Sequence, residues 1–414
     1  MTTQREMLLR WIDEDRDKLV DFLSRFVQAK SPNPPGDTRE ATAFVTQFLD
    51  AGQLPYRVIA PQGEMPNIVG SFECGSSGRH LVLNGHIDVF PVGDEKWTYG
   101  PWSGAIANGR IYGRGVTDMK CGTTASIFTF AYLYRIREQL KGRLTLTAVS
   151  DEETFGPWGA RYLMENHPEV HGDCLLNGEP SSPYTVRFGE KGPLWLAINV
   201  QTPGAHGAYT HLGPSATKIA SRIVADLEAV TSIEVLAPEN VARALEEGKD
   251  GVDRAMGKGA SKAVREVTLN IGIIRGGLKV NMIPGRCGVE ADIRLPVGVE
   301  KDRVMKEVKK ILARYPEAEM EEINSSPPSW CDPYGEMLRI IQANVKAMRG
   351  FEPAPIVSLG GTDARLWRYR NIPAYVYGPS PMGMGSYDEY VQINDFLHIE
   401  KTHVLSAYDY LSLG

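Results

Sequence analysis

What the chain lacks narrows its possible functions first. Cysteine is scarce, with only Cys74, Cys121, Cys174, Cys287 and Cys331 in 414 residues, an odd number with no CxxC spacing. This argues against a disulfide framework and a cysteine-ligated zinc finger, and it fits reduced thiols packed as small apolar side chains in a cytoplasmic protein. No apolar run is long enough to span a bilayer, and the opening "MTTQREMLLRWIDEDRDKL" carries a charge every few residues, unlike a signal peptide. Basic stripes are also missing and the formal net charge is -6, so neither nucleic acid nor a membrane surface is an expected partner. There is no internal repeat and no low-complexity tract.

What is present reads as a folded enzyme-sized chain. Apolar residues make up 42% and charged residues 23%, ordinary globular proportions, and the length predicts two domains. Residues 13–30 carry Leu19, Phe22, Leu23 and Phe26 at helical spacing before "SPNPPG" stops the helix. Then "HLVLNGHIDV" (80–89) reads as a strand, 121–140 as a largely buried helix, "GRLTLTAVS" as a strand, 157–166 as a helix and "CLLNG" as an apolar strand. Strands alternating with helices predict a layered α/β sheet. After about residue 185 the rhythm becomes strand, helix, strand, strand, helix, which predicts a small βαββαβ-type sandwich inserted into the larger domain. Residues 245–263, rich in Gly, Lys and Asp, read as a mobile loop within it, and "APIVSLGG" and "IPAYVYGP" return the chain to α/β character after about residue 325.

Chemistry concentrates where apolar strands end. The strand in "LTLTAVSDEETFG" surfaces into Asp151, Glu152 and Glu153, and three adjacent carboxylates there call for a cation. Similar polar clusters follow other strands: His86 and Asp88 in "GHIDV", Asp118 in "GRGVTDMK" and Glu179 in "NGEP". Loops at one edge of an open α/β sheet converge on a single crevice, so these residues can share a site. Imidazole with carboxylates suits Zn²⁺, Mn²⁺ or Co²⁺, and a carboxylate can bridge two such ions. On a strand, His86 and Asp88 would share a face, so Asp88 would hold the second ring nitrogen of His86. Neighbouring Glu152 and Glu153 would point apart, one binding metal and the other taking a proton from water. Taken singly, a His-X-Asp pair or an acidic doublet is more often a solvated surface; their order and their place on strand ends carry the argument.

In that order the clusters resemble the M20 family of metallopeptidases and deacylases. The most specific stretches are "GHIDV", "YGRGVTDMKCG", "SDEETFGPWGA", "GAHGAYTHLGPSA" and "GGTDAR". The resemblance implies a zinc-peptidase-like α/β catalytic domain with a central mixed sheet over 1–184 and 298–414. It also implies an inserted two-layer α+β, ferredoxin-like domain over 185–297 that acts as lid and forms a homodimer. By carry-over, His86, Asp118, Glu153 and Glu179 would bind metal with Asp118 as the bridge, Asp88 would support His86, and Glu152 would be the general base. His206 would reach the oxygen of the tetrahedral intermediate, and Asn281, Arg294, Gly360 and Thr362 would contact a carboxylate-bearing small-molecule substrate. For Arg294 the competing reading is a salt bridge at a strand end.

One position departs from the pattern. A histidine ligand is expected three residues before the Asp388-Glu389 pair, and Gly385 stands there. The expectation is therefore one tightly held divalent ion (Zn, Mn or Co) and a second site weakened by Gly385. The implied reaction is hydrolysis of a C–N amide bond in a small N-acylated amino acid or related carboxylate. The alternatives are an aromatic-amine deaminase, a dipeptidase or carboxypeptidase, and a metal-binding member without turnover.

Overall fold

Leucine, valine and threonine alternate along Lys141–Val149, a composition that favours an extended backbone buried on both faces. The computed structural model, which describes residues 3–413, makes this a central strand of a nine-stranded mixed sheet. From one edge the order is Tyr56–Ile59, Asn67–Glu73, Lys141–Val149, Ser76–His86, Cys174–Asn177, Ala374–Val376, Thr185–Glu190 and Ser329–Trp330, with Ala354–Ser358 also paired to Thr185–Glu190. Ser76–His86 runs parallel to both its neighbours, and Cys174–Asn177 runs parallel to Ala374–Val376. Parallel strands buried on both faces need helical cover. Helix Cys121–Arg135, buried along nearly its whole length, packs against helix Ile393–Ser412. Helix Arg16–Gln28 buries Leu19, Phe22, Leu23 and Phe26 as its spacing predicts, and the Phe22 ring meets Phe128 at 5.1 Å. Among the described residues no helix is long and apolar enough to cross a membrane.

The chain divides into two compact units, one running to Phe188 and including Cys331–Ile356 and the stretch from Thr362, the other Gly189–Trp330 with Val357–Gly361. In the second, an antiparallel sheet ordered Thr268–Gly276, Arg286–Leu295, Gly192–Gln201 and Ala318–Ser325 packs with helices Ala216–Leu227 and Lys301–Leu312 around Leu194, Leu196, Ile198, Ile223 and Val304. This unit therefore extends beyond the expected limit at residue 297. The reason is the pairing of Ala318–Ser325 with Gly192–Gln201, in a sequence ("AEMEEINS") too polar to read as a strand because it forms a largely exposed edge. The expected mobile loop at 245–263 is instead mostly helical, with Glu239–Glu247, Lys249–Met256 and Ala260–Ala263 separated by glycines and anchored by buried Val241, Leu245 and Val252.

One buried acid opposes this packing. Glu400, in the Ile393–Ser412 helix, is fully buried, and neither carboxylate oxygen has a hydrogen-bond partner among the described residues. Burial pushes its carboxyl well above the ordinary carboxylate range. A folded-state pKa above the unfolded one costs nothing while both states are protonated, and the penalty grows as pH rises towards the folded value. Glu400→Gln should therefore raise Tm at pH 7, with the gain shrinking as pH falls to about 4. Melting curves of both proteins across that range check this, and a gain that does not depend on pH would count against it.

Candidate metal centre

Parallel pairing in register brings three strand ends to one edge. His86 lies opposite Val149 and Asn84 opposite Asn177, so the segments leaving the sheet after His86, Val149 and Asn177 start side by side. Beneath them runs a buried ladder of polar side chains. Asn84 Nδ2 donates to Thr147 Oγ1 (3.1 Å), Asn177 Nδ2 to Asn84 Oδ1 (2.9 Å), and the Glu179 backbone N–H to Asn177 Oδ1 (2.8 Å). Each bond satisfies a group that would be costly to leave unpaired in the core, so the ladder fixes register and aims Glu179 at the same time.

His86 sits at the centre of the acids. Its Nδ1 lies 2.8 Å from the Asp88 carbonyl oxygen, which can only accept, so Nδ1 carries the proton and Nε2 faces the carboxylates. Nε2 is 3.2 Å from Asp118 Oδ1, 3.3 Å from Glu179 Oε1 and 4.0 Å from Glu152 Oε2. Two sets of ligand atoms, one from His86, Glu152 and Glu179 and the other from His86, Asp118 and Glu153, each lie within 4.8 Å of one another. Thus His86, Asp118, Glu152, Glu153 and Glu179 are brought together.

The support for His86 is corrected in one respect. The carboxylate of Asp88 does not hold the imidazole, its nearer oxygen being 3.6 Å from Nδ1; the backbone carbonyl does so instead. The regular strand ends at His86, so the alternation that would put residues 86 and 88 on one face stops there. The carboxylate accepts from Asn33 Nδ2 (2.9 Å) and from the backbone N–H groups of Glu153 (3.1 Å) and Glu152 (3.3 Å). One residue thereby orients the imidazole with its main chain and the acidic turn with its side chain.

Several supporting residues escape a reading of the sequence. Glu389 Oε1 accepts from the backbone N–H groups of Thr117 (2.9 Å) and Asp118 (3.3 Å), while its Oε2 accepts from Arg114 Nη1 at 2.8 Å. Asp388 accepts from the backbone N–H and hydroxyl of Thr98 (2.8 and 2.7 Å). The Asp-Glu pair thus clamps the loops bearing Asp118 and Thr98. Gly385 has a left-handed backbone (φ 73°), and its carbonyl accepts from Arg114 Nη2 at 3.3 Å. Arg365, also buried, places Nη1 3.7 Å from Glu152 Oε1 and donates to the Thr362 carbonyl at 2.6 Å. The only sequence signal for Arg365 is its place in "GGTDAR".

Electrostatics follow from crowding acids out of water. Burial pushes Glu152 and Glu153 well above the ordinary range; Asp363 and Glu179 add to the effect on Glu152, and Asp118 adds to that on Glu153. Burial and then Asp118 raise Glu179 to about 7. Burial opposes a charge on His86, yet Glu179, Asp118 and Asp88 hold its pKa well above normal. A bound cation reverses this logic by favouring every carboxylate as an anion and His86 as a neutral ligand. Glu152 Oε1 and Glu153 Oε1 are buried without a hydrogen-bond partner among the described residues. One imidazole, several clustered carboxylates and a buried Glu153 oxygen without a hydrogen-bond donor fit a divalent ion.

The other expected residues fall as follows. Thr362 is buried in the first unit and reaches Glu152 through Arg365. His206, Asn281, Arg294 and Gly360 belong to the second unit. There His206 pairs with Met282 across a short ladder and the Asn281 carbonyl accepts from Gly207 N at 2.7 Å, so His206 and Asn281 are neighbours. Arg294 forms a two-pronged pair with Asp292 (2.8 and 3.0 Å), the salt-bridge arrangement weighed for it above. Gly360 N–H donates to Ser358 Oγ at 3.2 Å.

A cluster of one imidazole and four carboxylates at the edge of a mixed α/β sheet, in a chain with a second α+β unit, defines a metallohydrolase of the zinc-peptidase type. The chain belongs to peptidase family M20/M25/M40, whose model matches residues 82–407. It is 29% identical over 394 residues to a succinyl-diaminopimelate desuccinylase of Gluconacetobacter diazotrophicus, covering 92% of this chain and 93% of that one. It is 23% identical to aminoacylase-1 of Dictyostelium discoideum, covering 91% and 94%. Its fold is similar to that of the M20 metallo-carboxypeptidase Sso-CP2 of Sulfolobus solfataricus (TM-score 0.79, 18% identity, covering 94% and 99%). Human carnosine dipeptidase 1 is similar in fold as well (TM-score 0.72, 16% identity, 99% of each chain).

Proposed function

We propose that this metallohydrolase cleaves the C–N bond of a small N-acylated amino acid or related carboxylate, with Glu152 as general base. The observation that carries the reading is Glu152 itself, a buried carboxylate among the metal-ligand candidates whose Oε1 has no hydrogen-bond donor among the described residues and only the Arg365 guanidinium nearby. His86, Asp118 and Glu179 would hold one divalent ion, and Asp118 with Glu153 a second. When bound, the ion supplies Lewis acidity, polarising the scissile carbonyl and lowering the pKa of a nearby water. Glu152 takes a proton from the attacking water and delivers it to the leaving nitrogen. Arg365, 3.7 Å from Oε1, favours the anionic base at the start of the cycle. Within the second unit, we assign His206 the chemistry of an oxyanion donor, and Asn281 and Arg294 that of carboxylate binders, for which Arg294 must release Asp292. A substrate screen spanning N-acyl amino acids, dipeptides and aromatic amines tests the reaction class; release of ammonia from an amine without amide cleavage would replace it.

With glycine at 385, His86 is the one imidazole serving both ligand sets among the described residues, so metal analysis after gel filtration should find close to one ion per chain. Two tightly retained ions would overturn this assignment. We also assign dimerisation to the second unit, where Leu278 and Val280 project almost wholly into solvent. Two neighbouring apolar side chains so exposed suit burial against a second copy. Leu278→Asp with Val280→Asp should convert a dimer to a monomer in sedimentation; a variant that remains dimeric would exclude this surface.

A further inference from the structure

The stretch "SPNPPG", which in the sequence reads as a helix stop, does more than end helix Arg16–Gln28. Residues 31–33 pair in parallel with residues 87–89, just past the end of strand Ser76–His86. Ser31 Oγ donates to the Ile87 carbonyl (2.6 Å), the Val89 N–H to the Ser31 carbonyl (3.0 Å) and the Asn33 N–H to the Val89 carbonyl (2.8 Å). These bonds fix the backbone of Asn33 and leave its buried amide beside Asp88.

That amide serves two acids at once. Asn33 Nδ2 lies 2.9 Å from Asp88 Oδ2 and 3.2 Å from Asp151 Oδ1, and since ionised carboxylates only accept, each takes one of its two hydrogens. Asp88 and Asp151 are both buried, and two anions gathered at one nitrogen away from water repel each other. Each also organises the turn that bears Glu152 and Glu153. Asp88 accepts from the backbone N–H groups of those two residues, and Asp151 accepts from Thr154 Oγ1 (2.7 Å) and Trp158 N (3.0 Å). Asp88 gives its carbonyl to His86 Nδ1 as well. Asn33 thus bridges the imidazole side of the centre and the acidic turn. Without its two hydrogens the carboxylates would part, and the turn would move away from His86.

We infer that Asn33 is a positioning residue of the metal centre, setting the distance between His86 and the turn that carries Glu152 and Glu153 by donating to Asp88 and Asp151 together. The inference rests on reading the acidic cluster as a divalent-metal site. Co²⁺ is the probe, because its visible absorption follows its coordination and its affinity is measurable by competition with a chelator. Asn33→Ala should weaken Co²⁺ binding about 10- to 100-fold, the usual effect of losing a residue that orients metal ligands, and should change the Co²⁺ spectrum. Asn33→Ser, which has one hydrogen to give in place of two, should fall between wild type and Asn33→Ala, and it decides the matter if the alanine variant does not fold. Ser31→Ala separates positioning from stability. It removes a buried bond of the same segment but touches neither acid, so it should lower Tm and leave Co²⁺ affinity and spectrum unchanged. Unchanged affinity and spectrum in the folded Asn33 variants would overturn the role, and so would a loss of affinity in Ser31→Ala equal to that in the Asn33 variants. A wild-type protein that takes up no Co²⁺ would instead refute the metal centre, and the role of Asn33 with it.

Discussion

Glu152→Gln protein should retain its divalent ion and lose about 10²- to 10⁴-fold in kcat, the usual contribution of a positioned general base. The substitution preserves volume and keeps an oxygen that can accept, but it removes proton affinity. Two roles compete for this residue, because its carboxylate lies within ligand reach of His86 and Glu179. Measuring metal content together with rate separates them. Full metal content with little turnover assigns the base; metal lost in parallel with activity makes Glu152 a ligand; and a near-normal rate with bound metal removes it from the chemistry. Arg365 sharpens the test. Its guanidinium near Oε1 loses an anionic neighbour in the variant, so Arg365→Lys in the wild-type background should be milder than Glu152→Gln while lowering kcat in the same direction.

The second large effect is expected at Arg114 and Glu389. Both are buried, and their ion pair at 2.8 Å lies beneath the Asp118 loop. Removing one partner of a buried pair leaves the other charge uncompensated, which typically costs about 3–5 kcal/mol. Arg114→Met should therefore lower stability by about that amount, read from urea unfolding with unchanged m. Adding Glu389→Gln should restore a substantial part of the loss, since the amide oxygen can still accept from Thr117 N while the buried charge is gone. Burial already pushes Glu389 up to about 7 with the arginine present. Without Arg114, the single variant should be less impaired at pH 5, where protonation neutralises Glu389, than at pH 8. A double variant no more stable than Arg114→Met would show that the pair contributes through packing and not through charge.

Most of the acidic cluster is legible because its members obey a local rule: polar residues at or just past the ends of apolar strands in an α/β rhythm. His86, Glu152, Glu153 and Glu179 satisfy it, and parallel pairing brings those strand ends together, whereas Asp118 sits in the helical turn Val116–Lys120, several residues beyond its strand. What supports them follows no local rule. Arg114 and Glu389 are 275 positions apart, and Asn33 reaches Asp88 across 55. No periodicity links such residues, and each alone looks like an ordinary loop side chain. The role given to the Asp88 carboxylate failed because strand alternation was extended one step past the strand's end. The limit of the inserted unit was misplaced for a similar reason: an edge strand such as Ala318–Ser325 faces water and loses the apolar signature that marks a central one.

The row of amides under the centre has a consequence for how the ion is acquired. Thr147, Asn84 and Asn177 bond to one another and to the main chain of Glu179, and none of the three is among the ligand candidates. Chelation should accordingly leave the sheet standing and the vacated carboxylates already aimed, so reloading is a simple capture step in which little chain entropy remains to be lost.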